Sequence, residues 1–145
     1  MNAPAVKRPA WFWVVAVLAL LWNLLGLAMA WMQYSMTPGQ LAQLSEAQRT
    51  LHEAFPAWLW AVDGIAVAAG TLGSILLLMG RRLALPVFRV SLVAVVVLFG
   101  YCLFPGGMLE VLGAAQALPM PILVTVIAIL LIWFTRWSIA RGWLA

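Results

Sequence analysis

Charge is scarce in this chain. Four acidic residues, Glu46, Glu53, Asp63 and Glu110, and eight basic ones make up 8% of its 145 positions, where an ordinary soluble domain is about 25% charged. A single cysteine, Cys102, excludes an internal disulfide. The single histidine, His52, has no Cys or carboxylate cluster around it, so no recognisable metal-binding set exists. There is no phosphate loop, no His-Glu-x-x-His and no serine elbow, so no catalytic residue is expected and no cofactor. The net charge of +4 and a pI near 10.3 would suggest nucleic-acid binding in a soluble domain. Here the basic residues stand at the ends of apolar runs rather than on one face, which excludes that class.

What the chain has in abundance is apolar sequence. It is 66% hydrophobic with a mean hydropathy of +1.07, more than a soluble surface could cover. Four runs are long enough to cross a bilayer core of about 30 Å, which takes about 20 helical residues. They are Trp11–Met32, Ala57–Met79, Leu83–Phe104 and Leu118–Thr135. The expected fold is an all-α membrane protein forming one domain over residues 1–145. It is a four-transmembrane-helix bundle with an amphipathic helical segment at 33–56, an outer loop at 105–117 and a tail at 136–145. Ala28-Met29-Ala30 resembles a signal cleavage site. The run before it exceeds the 7–15 or so residues of a signal core, however, so a retained anchor is expected.

Basic residues set the orientation. Lys7, Arg8, Arg81, Arg82, Arg89, Arg136 and Arg141 fall on one side, against Arg49 alone on the other. This bias places both termini and the Arg81-Arg82 turn in the cytoplasm. Arg81, Arg82 and Arg89 are read as topology determinants able to meet lipid head groups. Trp11, Trp13, Trp133, Trp137 and Trp143 form one interfacial belt, and Trp31, Trp58 and Trp60 the other.

The 33–56 connection is the most polar stretch. Thr37-Pro38-Gly39-Gln40 and Ser45-Glu46-Ala47-Gln48 both carry the capping-box pattern, predicting two short helices. Leu41, Leu44, Leu51 and Phe55 share a face, so the segment is expected to lie on the outer surface and cover the bundle mouth. His52, Glu53 and Arg49 read as its solvated face.

Small residues mark where helices meet in lipid. Ala16, Ala19, Asn23, Gly26 and Ala30 make one stripe on the first run. Asp63, Ala66, Gly70 and Gly73 make another on the second, and the two are expected to face each other. At 1.5 Å per residue, Asp63 and Thr125 lie roughly 9 Å below the outer ends of their helices, Tyr101 roughly 4.5 Å and Asn23 roughly 13.5 Å. Asn23, Asp63, Tyr101 and Thr125 are therefore the expected substrate-binding layer, with an Asn23–Asp63 hydrogen bond expected first. The competing reading is a hydrated Asp63 near the interface and Asn23 acting as interhelical glue.

Trp22-Asn23-x-x-Gly26, Phe55-Pro56-Ala57-Trp58, and Gly73-Ser74-x-Leu76-Leu77-Leu78 followed by Arg81-Arg82-x-Ala84-x-Pro86-x-Phe88 together resemble a group of small bacterial four-span inner-membrane proteins, mostly without assigned function and some described as sugar transporters. The resemblance runs from about Trp11 to Phe104. It implies an inner-membrane location, a periplasmic face for the 33–56 segment and a small polar solute such as a sugar. The three-span sugar carriers are a different pattern, because paired prolines in corresponding helices and an internal repeat are missing here. Two functions are thus expected from different classes. One is a carrier or binding protein for a small polar solute, its path needing a homo-oligomer or a large rearrangement because four short helices enclose little volume. The other is a non-catalytic accessory or assembly subunit that docks on a membrane partner protein.

Overall fold

The computed structural model describes residues 8–105 and 107–145; Lys7 lies outside them. The described chain folds as α1 (Ala10–Tyr34), α2 (Pro38–Ala42), α3 (Glu46–Glu53), α4 (Ala57–Leu78), α5 (Ala84–Leu103), α6 (Met108–Leu112), α7 (Ala114–Ala117) and α8 (Pro119–Ala140). Four of its helical stretches are long and apolar enough to cross a membrane: α1, α4, α5 and the continuous α7–α8 stretch. These helices are apolar on every side, with Leu18, Ile65, Val93 and Ile129 among the exposed residues, as expected where the surrounding medium is lipid. The protein is an all-α integral membrane protein.

α4 is the hub of the bundle. It packs against α1 on one side and α5 on the other, and α8 lies against α5. Its small residues are divided between the two neighbours rather than forming one stripe toward α1. Gly26 of α1 meets Val67, and Gly70 lies against Asn23. Gly73 instead lies against the Phe88 ring of α5, and Ser91 of α5 donates to the Ala66 carbonyl at 2.7 Å. The expectation that Ala66 and Gly73 face the first helix is therefore corrected. A third helix takes that side, because residues three apart on α4 point about 60° apart and diverge toward different partners.

Two matching turns close the basic end. After α4, the N–H of Gly80 bonds the Leu77 carbonyl and that of Arg81 bonds Leu76. After α8, Gly142 bonds Ile139 and Trp143 bonds Ser138. Both glycines are left-handed, at φ 72° and 77°, which completes a Schellman motif in each case. The last residues then turn inward: Ala145 donates to the Gly80 carbonyl at 2.7 Å and Arg82 returns a bond to Ala145 at 2.8 Å. Arg8 and Arg82 add side-chain bonds to the carbonyls of Trp143 and Leu144.

Several expectations change here. α8 runs to Ala140 rather than stopping at Thr135. A basic residue such as Arg136 marks the edge of the lipid and not the end of the helix; the helix stops where Gly142 turns left-handed. Trp143 is not part of an interfacial belt. It is buried with Phe12 and Phe134 and makes edge contacts to Trp11 and Trp137 at 5.4 and 5.1 Å. Arg82 gives its Nε to the Leu144 carbonyl of the tail and, like Arg81 and Arg89, is exposed.

The same aromatic cluster decides the overall shape. Trp11 stacks on Trp137 at 5.3 Å and Phe12 on Phe134 at 5.6 Å, which pins α1 to α8 at the basic end. Towards the other end the two helices diverge, leaving a crevice between them.

Candidate functional site

The end opposite the arginines is roofed by α2 and α3. Thr37 Oγ1 accepts from the Gln40 N–H at 3.2 Å while Gln40 Oε1 accepts from Thr37 N–H at 3.0 Å, and Ser45 and Gln48 repeat the exchange. Both capping boxes are formed as their spacing predicts. Arg49 is not part of a solvated face. Its guanidinium donates to the carbonyls of Leu41, Ala42 and Leu44, satisfying orphan acceptors at the end of α2. His52 Nε2 lies 2.9 Å from the Gln33 carbonyl and ties α3 to the end of α1.

Beneath this roof is a cavity of about 420 Å³. Leu44, Leu51 and Phe55 of the cap face it from above, and α4, α5 and the start of α8 wall it below. A second cavity of about 230 Å³ continues down the crevice between α1 and α8, floored by α4 and α5. The two share Gln33, Asp63, Leu98, Phe99 and Met120. Asp63 is the one acidic residue at that junction. The lower cavity opens sideways, since its lining residues Leu25 and Met29 of α1 and Met120 of α8 are 55%, 46% and 52% exposed.

The four expected site residues are separated by this geometry. Asp63 lines both cavities, Tyr101 the upper and Asn23 the lower. Thr125 lines neither; it sits half-buried on α8 away from the crevice. The expected Asn23–Asp63 bond is absent. Asn23 Nδ2 donates instead to the Ala19 carbonyl at 2.8 Å and to Ser74 Oγ at 3.1 Å, and Ser74 in turn donates to the Gly70 carbonyl.

The reason is register. In antiparallel helices, facing positions have residue numbers with a nearly constant sum. Tyr34 against Trp60, Gly26 against Val67 and Asn23 against Gly70 give 93 or 94. Equating the helix ends Met32 and Ala57 would give 89, about one turn out. On the observed register Asp63 is level with Ala30 and Trp31, about two turns above Asn23. α4 starts beyond the end of α1 because the chain returns through the α2–α3 roof.

Other lining residues carried no clear signal in the sequence. Gln33, Gln48 and His52 contribute polar atoms to the upper cavity. Trp60, assigned to an interfacial belt, also stands in that wall, packed against Phe55 at 4.3 Å, Tyr34 at 5.5 Å and His52 at 5.6 Å. Cys102 is half-buried there too. Only their placement under a folded-back cap distinguishes them from ordinary interfacial residues. Among the described residues no group of three or more His, Cys, Asp or Glu side chains comes close enough to hold a metal.

Set against known proteins, the chain matches no family model, no curated protein and no solved structure.

Proposed function

We propose that this integral membrane protein is a carrier or binding protein for a small polar solute, with Asp63 as the group that meets it. The observation that carries this reading is the position of Asp63 where two adjoining cavities share their lining, on a helix otherwise lined with apolar and small residues. An acid within a membrane span costs about 2.5–3.5 kcal/mol on insertion scales, which favours a functional origin. Its carboxylate makes no hydrogen bond or ion pair to a described residue, in contrast to the fully engaged Asn23 amide nitrogen. The upper cavity alone falls within the range of about 300–1,000 Å³ typical of small-molecule sites.

Orientation follows from charge. Arg8, Arg82 and Arg141 converge on one end around the α8 tail. By the positive-inside rule that end is cytoplasmic, and the roofed end faces the periplasm of a bacterial inner membrane. The solute enters beneath α2 and α3 and reaches Asp63 from that side.

The test is a thermal-unfolding screen of the purified chain in detergent against sugars, polyols and amines. A ligand bound only to the folded state at 100 times its dissociation constant adds about 2.7 kcal/mol. The reading expects such a shift in the wild type and its loss in Asp63→Asn. No shift with any solute overturns it in favour of an accessory subunit, which co-purification of a membrane partner would then identify.

A further inference from the structure

We infer that the site at Asp63 takes a monovalent organic cation, an ammonium group carried on an apolar body, rather than a sugar. This inference rests on the proposed solute site and specifies its ligand class. Part of the polar surface of the cavity walls is already committed to the protein, while the side chains of Gln33, Trp60 and Tyr101 make no hydrogen bond to a described residue. Gln48 spends its Oε1 on the Ser45 N–H. His52, the one basic residue in either wall, spends Nε2 on the Gln33 carbonyl. In the lower cavity the Asn23 amide nitrogen and the Ser91 hydroxyl are both committed to protein acceptors. The uncommitted groups of Gln33, Trp60 and Tyr101 are neutral, so they offer single hydrogen bonds to a solute of any class and no preference for a hydroxyl over a charge. The strongest group left is the Asp63 carboxylate, an acceptor with full negative charge when ionised.

Among the described residues no lysine or arginine lines either cavity to neutralise it. The upper cavity is lined by the rings of Phe55, Trp60, Phe99 and Tyr101, a ring type whose faces attract cations. Met36, Met108 and Met120 complete the wall with adaptable, polarisable surface suited to an apolar body of variable shape. Below the carboxylate, the sideways opening between α1 and α8 gives the apolar part direct access to lipid. Charge at the junction and apolar surface on both sides match an amphiphilic cation held by its head group.

The experiment is equilibrium dialysis of the full chain in detergent, in weakly alkaline buffer, with three probes. They are benzyltrimethylammonium, its neutral analogue with carbon in place of nitrogen, and glucose. The expected result is saturable binding of the cation alone, weakened about tenfold or more in Asp63→Asn and retained in Asp63→Glu. A second variant, Trp60→Leu, weakens the cation without touching the carboxylate. Binding of the neutral analogue as tightly as the cation overturns the inference, because charge is then not recognised. Glucose binding that depends on Asp63, with no cation binding, overturns the cation class and leaves the solute site standing. Failure of all three probes, or cation binding unchanged in Asp63→Asn, overturns the cation inference and removes the support for a solute site at Asp63.

Discussion

At Gly70 it is contact, not backbone conformation, that demands glycine. A Cβ there would overlap Asn23 Oδ1, so Gly70→Ala must push α1 from α4 and strain the Asn23–Ser74 bond. Overpacking of this kind costs about 1–3 kcal/mol. Gly64, next to Asp63 in sequence and equally small, has nothing within 4 Å of a built Cβ, so Gly64→Ala is expected to stabilise by up to about 1 kcal/mol through helix propensity. Thermal unfolding of the two variants in detergent should move in opposite directions. Asp63 itself contributes no bond to the fold, so Asp63→Asn should not lower the unfolding temperature, whereas Asn23→Ala loses an interhelical bond worth about 0.6–1.7 kcal/mol. The sequence marks both polar residues as intramembrane but not which one the fold uses for packing, because hydrogen-bond partners depend on interhelical register.

The roof is the least self-sufficient element. α2 has five residues and α3 eight, well below the 12–15 or so at which an isolated helix becomes marginally stable, so caps and tethers must hold them. The capping boxes were legible in the sequence because both partners lie within one turn. The Arg49 tether was not, since its acceptors are backbone carbonyls five to eight residues away, brought near only when α3 folds back. Arg49→Ala is expected to speed amide exchange across residues 38–53 at least tenfold while leaving α4, α5 and α8 protected; uniform exchange throughout would contradict this division. A similar local logic explains α8. Gly142 signals a helix end directly, whereas Arg136 signals only a change of medium.

At the scale of the whole molecule, the bundle is closed at one end and splayed at the other. The closure rests on Trp11, Phe12, Phe134, Trp137 and Trp143 together with the tail strapped to Gly80 and Arg82. Trp143 is 7% exposed and Trp133, also near that end, is 59% exposed. Trp143→Ala is therefore expected to cost about 3 kcal/mol or more, and Trp133→Ala less than about 0.5 kcal/mol. Equal unfolding temperatures for the two would show that the tail does not hold the bundle together. If the closure fails, α1 and α8 are free to part along their full length, and the crevice between them loses its closed end.

From sequence alone came the medium, the four spans, their alternation and the paired capping boxes. These depend on run length, on charge at the ends of runs and on neighbours within one turn. The tertiary structure decided the register of α1 on α4, the division of the α4 glycines between two partners, the burial of Trp143 and the cavity shared at Asp63. Each of these depends on how far one apolar helix slides and rotates against another, and in lipid a uniformly apolar surface leaves that choice to the small-residue contacts and aromatic stacking that only the assembled bundle brings together.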